Sequence, residues 1–182
     1  SYCIKLNDMK DLILKSILKK KLKKDVILSI CKLKNTHWKY GVISQLKWFN
    51  KYIQDNDIHN LAYIKKKLVG YVLLRNRNFL IKKNKLNYLY YDTLIVSEKY
   101  RKRKIAYKLT NQTAKITKKL KLHSMLLCEK KIEPFYIKNK WKKMNTKNFK
   151  ILDHENSKKL SMMSFNLKVT TVKNYMNYYI FS

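Results

Sequence analysis

The chain has 182 residues, of which 43 are Lys or Arg and 11 are Asp or Glu, so its formal net charge at pH 7 is +32. Hydrophobic residues make up 46% of the chain, which is enough to build a buried core and excludes wholesale disorder. No apolar run approaches the ~18 residues of a membrane span, and the first residues lack a secretory apolar segment. We therefore expect a soluble, cytoplasmic protein of one domain.

The positive charge comes almost entirely from lysine. Only four of the 43 basic residues are arginine, at positions 75, 77, 101 and 103. Base readout and bidentate phosphate binding favour arginine, whereas these lysines are spread along the whole chain. We interpret the charge as a solvated lysine-rich surface that binds polyanions, including nucleic acid, only non-specifically. A dedicated nucleic-acid face is the alternative.

The first predicted element is a helix over residues 8–24, capped by Asn7 or Asp8, with an apolar stripe opposite a lysine face. We expect it to pack on the domain, and a basic helix lying on an anionic membrane is the alternative. Residues 26–33 are predicted as a strand. Thr36 is predicted to cap a second helix that reaches residue 52.

A hairpin is predicted next, from strands at 58–64 and 68–74 around a lysine turn that lacks the usual Asn-Gly pair. A polar connection over 75–85 leads to a strand at 86–96, rich in Tyr, Leu, Ile and Val. The remaining predicted elements are a helix at 102–121, a buried strand at 124–128, a helix at 132–142 beginning near Pro134, and strands at 146–152 and 160–167.

This order of elements predicts an α+β domain built on a mixed sheet. One domain over 1–182 is expected, with an N-terminal extension at 1–25 that holds a strand or basic helix, a core at 26–167 and a C-terminal extension at 168–182. Cys3, Cys31 and Cys128 are odd in number and far apart, so they predict neither a disulfide framework nor a metal site.

The most informative segment, residues 94–109, runs from an apolar strand through a basic loop into an amphipathic helix. Free amides at a helix start, together with local cations, form an anion site. Here the sequence resembles the GNAT superfamily of acyl-CoA-dependent N-acetyltransferases, whose signature is Arg/Gln-x-x-Gly-x-Gly/Ala. Arg101, Ile105 and Ala106 fit that register, and Lys104 stands where the family has glycine.

A second segment carries the same resemblance. Phe135-Tyr136-Ile137-Lys138-Asn139-Lys140-Trp141 is similar to the family's F-Y-x-K-x-G-F/W pattern, with Lys140 at the glycine. Residues 69–74 resemble its third strand. The resemblance covers roughly residues 26–167 and implies a mixed, mostly antiparallel sheet flanked by helices. The sheet would splay between its fourth and fifth strands, between residues 93–96 and 125–128.

The resemblance also implies site residues. Acetyl-CoA would be the co-substrate, with no metal, and Tyr136 would be the general acid for the leaving thiolate. Asp92 is the candidate base, because it is the only acid between Asp57 and Glu98; a solvated or lysine-paired acid is the alternative, and Glu129 or water could serve instead. The implied acetyl-CoA contacts are Leu94, Ile95, Val96, Arg101, Lys102, Arg103, Lys104, Ile105 and Ala106.

The predicted function is therefore transfer of an acetyl group from acetyl-CoA directly to a primary amine. A small-molecule acceptor is expected, such as an amino sugar, sugar-nucleotide or amino acid, because a +32 surface repels polycations. The alternative is a non-catalytic basic module of the same fold that binds nucleic acid or another polyanion, and the protein is expected to be a monomer or a dimer. The family's variable acceptor region corresponds to His37, Trp38, Gln45, Trp48 and His59.

Overall fold

The computed structural model describes residues 11–81, 84–145, 149–151, 160–167 and 178–180. Its strands are β1 (Ile13–Leu18), β2 (Ile58–Ile64), β3 (Lys67–Ile81), β4 (Asn84–Val96), β5 (His123–Glu129), β6 (Lys142–Lys143), β7 (Phe149–Ile151), β8 (Leu160–Phe165) and β9 (Tyr178–Ile180). Its α-helices are α1 (Lys24–Asn35), α2 (Val42–Tyr52), α3 (Ile105–Lys119) and α4 (Glu133–Lys138). Short 3₁₀ turns lie at Lys19–Lys21, Glu98–Tyr100 and Lys130–Ile132.

Hydrogen bonds connect the strands in the order β1-β2-β3-β4-β5-β8-β6, and β9 pairs with β3 and β7 beside this path. β4 and β5 are parallel, whereas β1–β2, β2–β3, β5–β8 and β6–β8 are antiparallel. Within the described residues, the β4–β5 ladder ends at Tyr90 and Met125, although both strands continue. The predicted fold class, a mostly antiparallel mixed sheet that splays between strands four and five, is confirmed.

The chain forms two compact units. The first contains Ser1–Arg75 and Thr93–Gln112, and the second contains Asn76–Asp92 and Thr113–Ser182. Their boundaries fall inside β3, β4 and α3 and not in linkers. The assignment of one domain with a core at 26–167 and two terminal extensions stays a prediction.

Each unit has its own apolar core. In the first unit, α1 and α2 pack on β2, β3 and the end of β4 through buried side chains that include Ile30, Phe49, Leu61, Tyr71, Leu73 and Ile95. In the second unit, buried apolar side chains come from β4, β5 and β8, with Tyr136 of α4 and Trp141 beside them, and include Tyr88, Leu89, Met125, Leu126, Met162 and Met163.

The sequence pattern predicts a helix over 8–24 and a strand over 26–33, and the structure contradicts both over the residues it describes. Residues 13–18 form β1, an edge strand without clean alternation of buried and exposed positions, so its sequence lacks the period-two signal. Residues 24–35 form α1, because packing against the sheet and α2 overrides the strand preference of Val26, Ile27 and Ile30. The alternative of a membrane-surface helix is therefore wrong over the described residues 11–24. Residues 1–10 lie outside the described residues.

Other boundaries also differ. α2 begins at Val42, because Thr36 ends α1 and donates its hydroxyl to the Leu33 carbonyl at 2.7 Å. The predicted connection over 75–85 is largely strand, since β3 extends to Ile81 and β4 begins at Asn84. α4 ends before the predicted residue 142. The hairpin, β4, α3, β5 and β8 are confirmed, whereas most of 146–152 and 168–182 lies outside the described residues.

Among the described residues, no helix is long and apolar enough to span a membrane. The same residues contain no group of three or more His, Cys, Asp or Glu side chains arranged to hold a metal ion.

Candidate active site

An open pocket of about 250 Å³ lies in the first unit, where β4 ends and α3 begins. It is lined by His37, Leu94, Ile95, Val96, Arg101 and Ala106. All of these except His37 are residues that the sequence predicts to contact acetyl-CoA. The structure therefore brings one part of the predicted set together at a single concave surface.

The other predicted contacts, Lys102, Arg103, Lys104 and Ile105, belong to the same loop and first helical turn but do not line the pocket. The Ile105 side chain is buried. It lies 3.0 Å from the position that a Cβ would take on Gly70 in β3, and Leu109 is equally close to that position. The missing side chain of Gly70 thus lets the start of α3 approach the sheet closely, which fixes one wall of the pocket.

The loop before α3 has an unusual backbone. Lys102 and Lys104 both have positive φ angles, 62° and 57°. The Lys104 carbonyl accepts a hydrogen bond from the Lys108 amide at 3.0 Å, so Lys104 is the residue directly before the first helical turn. Lys104 therefore keeps a conformation that favours glycine, and the backbone amides that follow it remain oriented as at any helix start.

Arg101 supplies a cation to the pocket. Its guanidinium is about half exposed and lies 3.7 Å from the Glu98 carboxylate, while the Arg103 guanidinium lies 5.1 Å from the ring centre of Tyr100. Helix-start amides and a guanidinium at one pocket are groups that bind phosphate oxygens. The residues present therefore fit the pyrophosphate of acetyl-CoA.

His37 enters the pocket from the loop between α1 and α2. Two side-chain hydrogen bonds hold this loop: Gln45 Nε2 donates to the Trp38 carbonyl at 3.0 Å, and the Gly41 amide donates to Asn35 Oδ1 at 2.8 Å. The sequence places His37 in the acceptor region without assigning it a contact. A single histidine in a polar loop has no sequence pattern that would predict its position in the pocket.

Tyr136, the predicted general acid, lies on α4 in the second unit and is 6% exposed. Its ring contacts Tyr91 and Trp141 edge-on, with centroid distances of 5.9 and 5.8 Å. Burial, followed by the nearby Cys128 and Tyr90, raises the pKa of the Tyr136 hydroxyl above its usual value. A phenol in this environment keeps its proton at neutral pH, as a proton donor must.

The backbone at the end of α4 shows the role of Lys140, which stands where the F-Y-x-K-x-G-F/W pattern has glycine. The Trp141 amide donates to the Tyr136 carbonyl at 3.0 Å, and the Lys140 amide donates to the Ile137 carbonyl at 2.9 Å. With a φ of 66° at Lys140, this is a Schellman motif, in which glycine is the usual residue. The position therefore serves to terminate the helix, and lysine there preserves the termination.

A polar cluster that the sequence does not predict fixes the start of α4. The buried Glu133 carboxylate accepts bonds from Lys143 Nζ at 2.9 and 3.1 Å, and also from the Ser161 hydroxyl. Hydrogen bonds from Lys143 and then Ser161 lower the pKa of Glu133. These contacts link α4 to β6 and β8 across 10 and 28 residues of sequence, so no local pattern reveals them.

The two candidate bases also lie in the second unit. Asp92 is half-buried in β4, between the buried Tyr91 and Thr93. Glu129 ends β5 and forms an exposed ion pair with Lys131 at 2.6 Å. The role of each as a base stays a prediction.

Comparisons with known proteins identify the family. The model of the acetyltransferase (GNAT) family matches residues 28–136, which include the pocket loop and Tyr136. The protein belongs to this family. No match was found among curated protein sequences.

Solved structures share the fold at low identity. An Escherichia coli GNAT family N-acetyltransferase (YhbS) in complex with CoA aligns with a TM-score of 0.68 and 11% identity, over 94% of this chain and 89% of its own. A Pseudomonas aeruginosa acyl-CoA N-acyltransferase gives 0.62 and 10%, over 84% and 98%. Arabidopsis thaliana Naa50, solved with a bisubstrate analogue, gives 0.59 and 19%, over 86% and 99%.

Proposed function

We propose that this protein is an N-acetyltransferase that moves an acetyl group from acetyl-CoA directly to a primary amine of a small molecule. The observation that carries the proposal is the pocket in a GNAT-family chain, lined by the end of β4, by Arg101 of the loop before α3 and by Ala106 in the first turn of α3. Such a combination offers strand amides for a pantetheine arm and helix-start amides with a guanidinium for phosphates.

Bound acetyl-CoA would supply an activated thioester. The backbone at Leu94, Ile95 and Val96 would orient the acyl end and donate hydrogen bonds to its carbonyl oxygen. Amides from Lys102 to Ala106 would hold the pyrophosphate, and Arg101 would add charge through its side chain, since its amide donates to the Glu98 carbonyl at 3.1 Å. The left-handed backbone of Lys104 supports this role, because the loop keeps the glycine conformation without a glycine.

In the transfer step, a C–N bond forms between the acceptor amine and the acetyl carbon while the C–S bond breaks. The amine loses its proton to Asp92, Glu129 or water, and Tyr136 gives a proton to the sulfur. Tyr136 carries its proton at neutral pH, as a donor must, and its position in the family's F-Y-x-K pattern supports the assignment.

Calorimetric titration with acetyl-CoA tests the proposal, with ATP and inorganic pyrophosphate as matched polyanions at moderate and high salt. We expect acetyl-CoA to bind far more tightly than either control and to remain bound at high salt. Equal binding of ATP, or loss of all binding with salt, would favour the non-catalytic polyanion-binding module instead.

Replacement of the predicted acid gives a kinetic test. Tyr136→Phe should lower kcat roughly 100-fold or more, the typical contribution of a positioned acid, and leave acetyl-CoA affinity unchanged. Tyr52→Phe, at an exposed tyrosine in α2, is the matched control. Steady-state release of the free CoA thiol measures kcat for both variants, and calorimetry measures their acetyl-CoA affinity. If the two variants have equal kcat values, Tyr136 is not the acid.

A further inference from the structure

The pocket of the first unit is built from two distant parts of the chain. Of the six described residues that line it, five belong to the end of β4, the following loop and the first turn of α3, over residues 94–106. The sixth is His37, from the loop between α1 and α2. A molecule that fills the pocket therefore contacts both the β4–α3 segment and the His37 loop.

His37 is also the lining residue whose acid–base chemistry suits neutral pH. Four of the other five described lining residues are aliphatic, and the guanidinium of Arg101 does not release its proton in proteins. Imidazole, by contrast, takes up and releases a proton readily at neutral pH. Within the described lining of the pocket, His37 is therefore the residue that can serve as a base.

The structure holds His37 in place and leaves its ring accessible. The His37 amide donates to the Lys34 carbonyl at 3.1 Å, and the buried Gln45 donates to the carbonyl of the next residue, Trp38, at 3.0 Å. The His37 ring lies edge-on to Trp38 with a centroid distance of 4.6 Å. His37 is nonetheless exposed, and its ring nitrogens have no hydrogen-bond partner among the described residues. A base needs both a fixed position and a nitrogen that can accept a proton.

The bases that the sequence favours are not part of this pocket. Asp92 and Glu129 belong to the second unit, and neither lines the pocket. Glu129 also forms an ion pair with Lys131 at 2.6 Å. His37, in contrast, shares the pocket with residues 94–96, whose backbone is proposed to orient the acyl end of acetyl-CoA.

We propose that His37 is the base that accepts the proton of the acceptor amine, an inference that rests on the proposed function. The lone pair of the amine forms the C–N bond, and sulfur keeps the electron pair of the broken C–S bond. The proton that the amine nitrogen loses goes to an unprotonated ring nitrogen of His37, and solvent then takes it up. The general acid supplies the separate proton of the CoA thiol.

NMR spectra of the histidine rings test the position of His37 without a known acceptor. The chain has four histidines, and His37→Ala identifies the His37 signal by its loss. Acetyl-CoA, CoA and inorganic pyrophosphate are added to separate samples at equal concentration. We expect the His37 signal to shift with acetyl-CoA, to shift less with CoA and to stay unchanged with pyrophosphate. An equal shift with pyrophosphate, or no shift with bound acetyl-CoA, would overturn the proposal.

Kinetics with glucosamine and leucinamide as probe amines test the proton transfer. His37→Ala should lower kcat about 100-fold, as expected for loss of a positioned base, and leave acetyl-CoA affinity unchanged. Added imidazole should restore part of the lost activity, because it can occupy the space of the missing ring. Lys39→Ala, at an exposed lysine of the same loop, is the matched control and should keep both the original kcat and its indifference to imidazole. Thermal unfolding confirms that both variants fold.

Equal kcat values for the two variants would overturn the proposal, and so would a loss that imidazole does not reverse. Weaker acetyl-CoA binding with unchanged kcat would also overturn it, because His37 would then be a cofactor contact and not a base. If neither probe amine is acetylated, the NMR titration decides alone. Failure of the proposed function has a different signature, since the unaltered protein then binds no acetyl-CoA in calorimetry.

Discussion

Lysine occupies backbone positions that other proteins give to glycine. In the described residues, lysines at 65, 66, 102, 104, 121 and 140 have positive φ, whereas Gly41 is the only glycine with positive φ there. Left-handed conformation costs an L-residue roughly 1–2 kcal/mol. With two glycines in 182 residues, the chain accepts this cost at several turns.

The β2–β3 turn makes that cost measurable. Lys65 and Lys66 connect Ile64 to Lys67 with φ angles of 47° and 64°, the geometry of a type I′ turn, which prefers Asn-Gly. We expect Lys66→Gly, and likewise Lys140→Gly in the Schellman motif, to raise the free energy of unfolding by about 1 kcal/mol each.

Urea denaturation measures these changes, and Lys47→Gly serves as the control. Because Lys47 lies within α2, the same substitution there should lower stability by about 1 kcal/mol. A loss of stability at Lys66 and Lys140 similar to that at Lys47 would show that the left-handed backbone is not strained.

His59 gives the first unit a pH dependence. The ring is fully buried, its Nδ1 lies 2.8 Å from the Tyr71 hydroxyl, and Nε2 has no partner among the described residues. Burial, then the charges of Lys19 and Lys34, lowers its pKa to about 3 from 6.5. Below pH 6.5, His59 therefore binds a proton in the unfolded chain, whereas in the folded chain it stays neutral until the pH approaches 3.

The contribution of His59 to the free energy of unfolding is complete above pH 6.5. It decreases as the pH drops toward 3, by up to about 1.4 kcal/mol per pH unit. His59→Gln, which cannot titrate, should show a shallower decline between pH 6.5 and 4. Chemical denaturation at several pH values compares the slopes. Parallel profiles for the two proteins would contradict a neutral buried His59.

At the scale of elements, the contact between β3 and α3 determines the shape of the pocket. Gly70→Val would place methyl groups where Ile105 and Leu109 already lie, so we expect a loss of about 1–3 kcal/mol and weaker acetyl-CoA binding as the start of α3 moves. A double-mutant cycle with Leu109→Ala checks the cause, because the added space should offset part of the loss. If the losses in free energy of unfolding from the two substitutions simply add, the contact between Gly70 and Leu109 is not the cause of the destabilisation.

Elements with a strong local signal are predictable from the sequence. The strand, basic loop and helix over residues 94–109 change from strand-like to helix-like periodicity, and the structure confirms β4 and α3 there. The predictions for β1 and α1 are wrong, because a short apolar run suits either period and pairing with β2 or packing on α2 decides the outcome.

The site divides in the same way. Leu94–Val96, Arg101 and Ala106 are contiguous in sequence with a recognisable context, and they do line one pocket. The place of His37 in the pocket, the contacts of Lys34 and Arg75 with the Trp48 ring, and the Glu133–Lys143–Ser161 contacts depend on distant segments. Their residue types alone, in a lysine-rich chain, indicate nothing beyond an ordinary surface.

At the scale of the whole molecule, the two units are interleaved along the chain. The boundaries at 75/76, 92/93 and 112/113 interrupt β3, β4 and α3, so neither unit corresponds to one continuous stretch of sequence. Loss of hydrogen bonds in one half of such an element removes support from its other half. We expect the two units to unfold together in one transition.

The tryptophans make this expectation observable, since Trp38 and Trp48 lie in the first unit and Trp141 in the second. Guanidinium unfolding followed through Trp141 alone, in a Trp38→Phe/Trp48→Phe protein, should give the same midpoint as circular dichroism of that protein. Separate midpoints would show independent units. A shared midpoint would show that each unit depends on the other for its stability, and we would then expect a fragment that contains only one unit's residues to be unfolded.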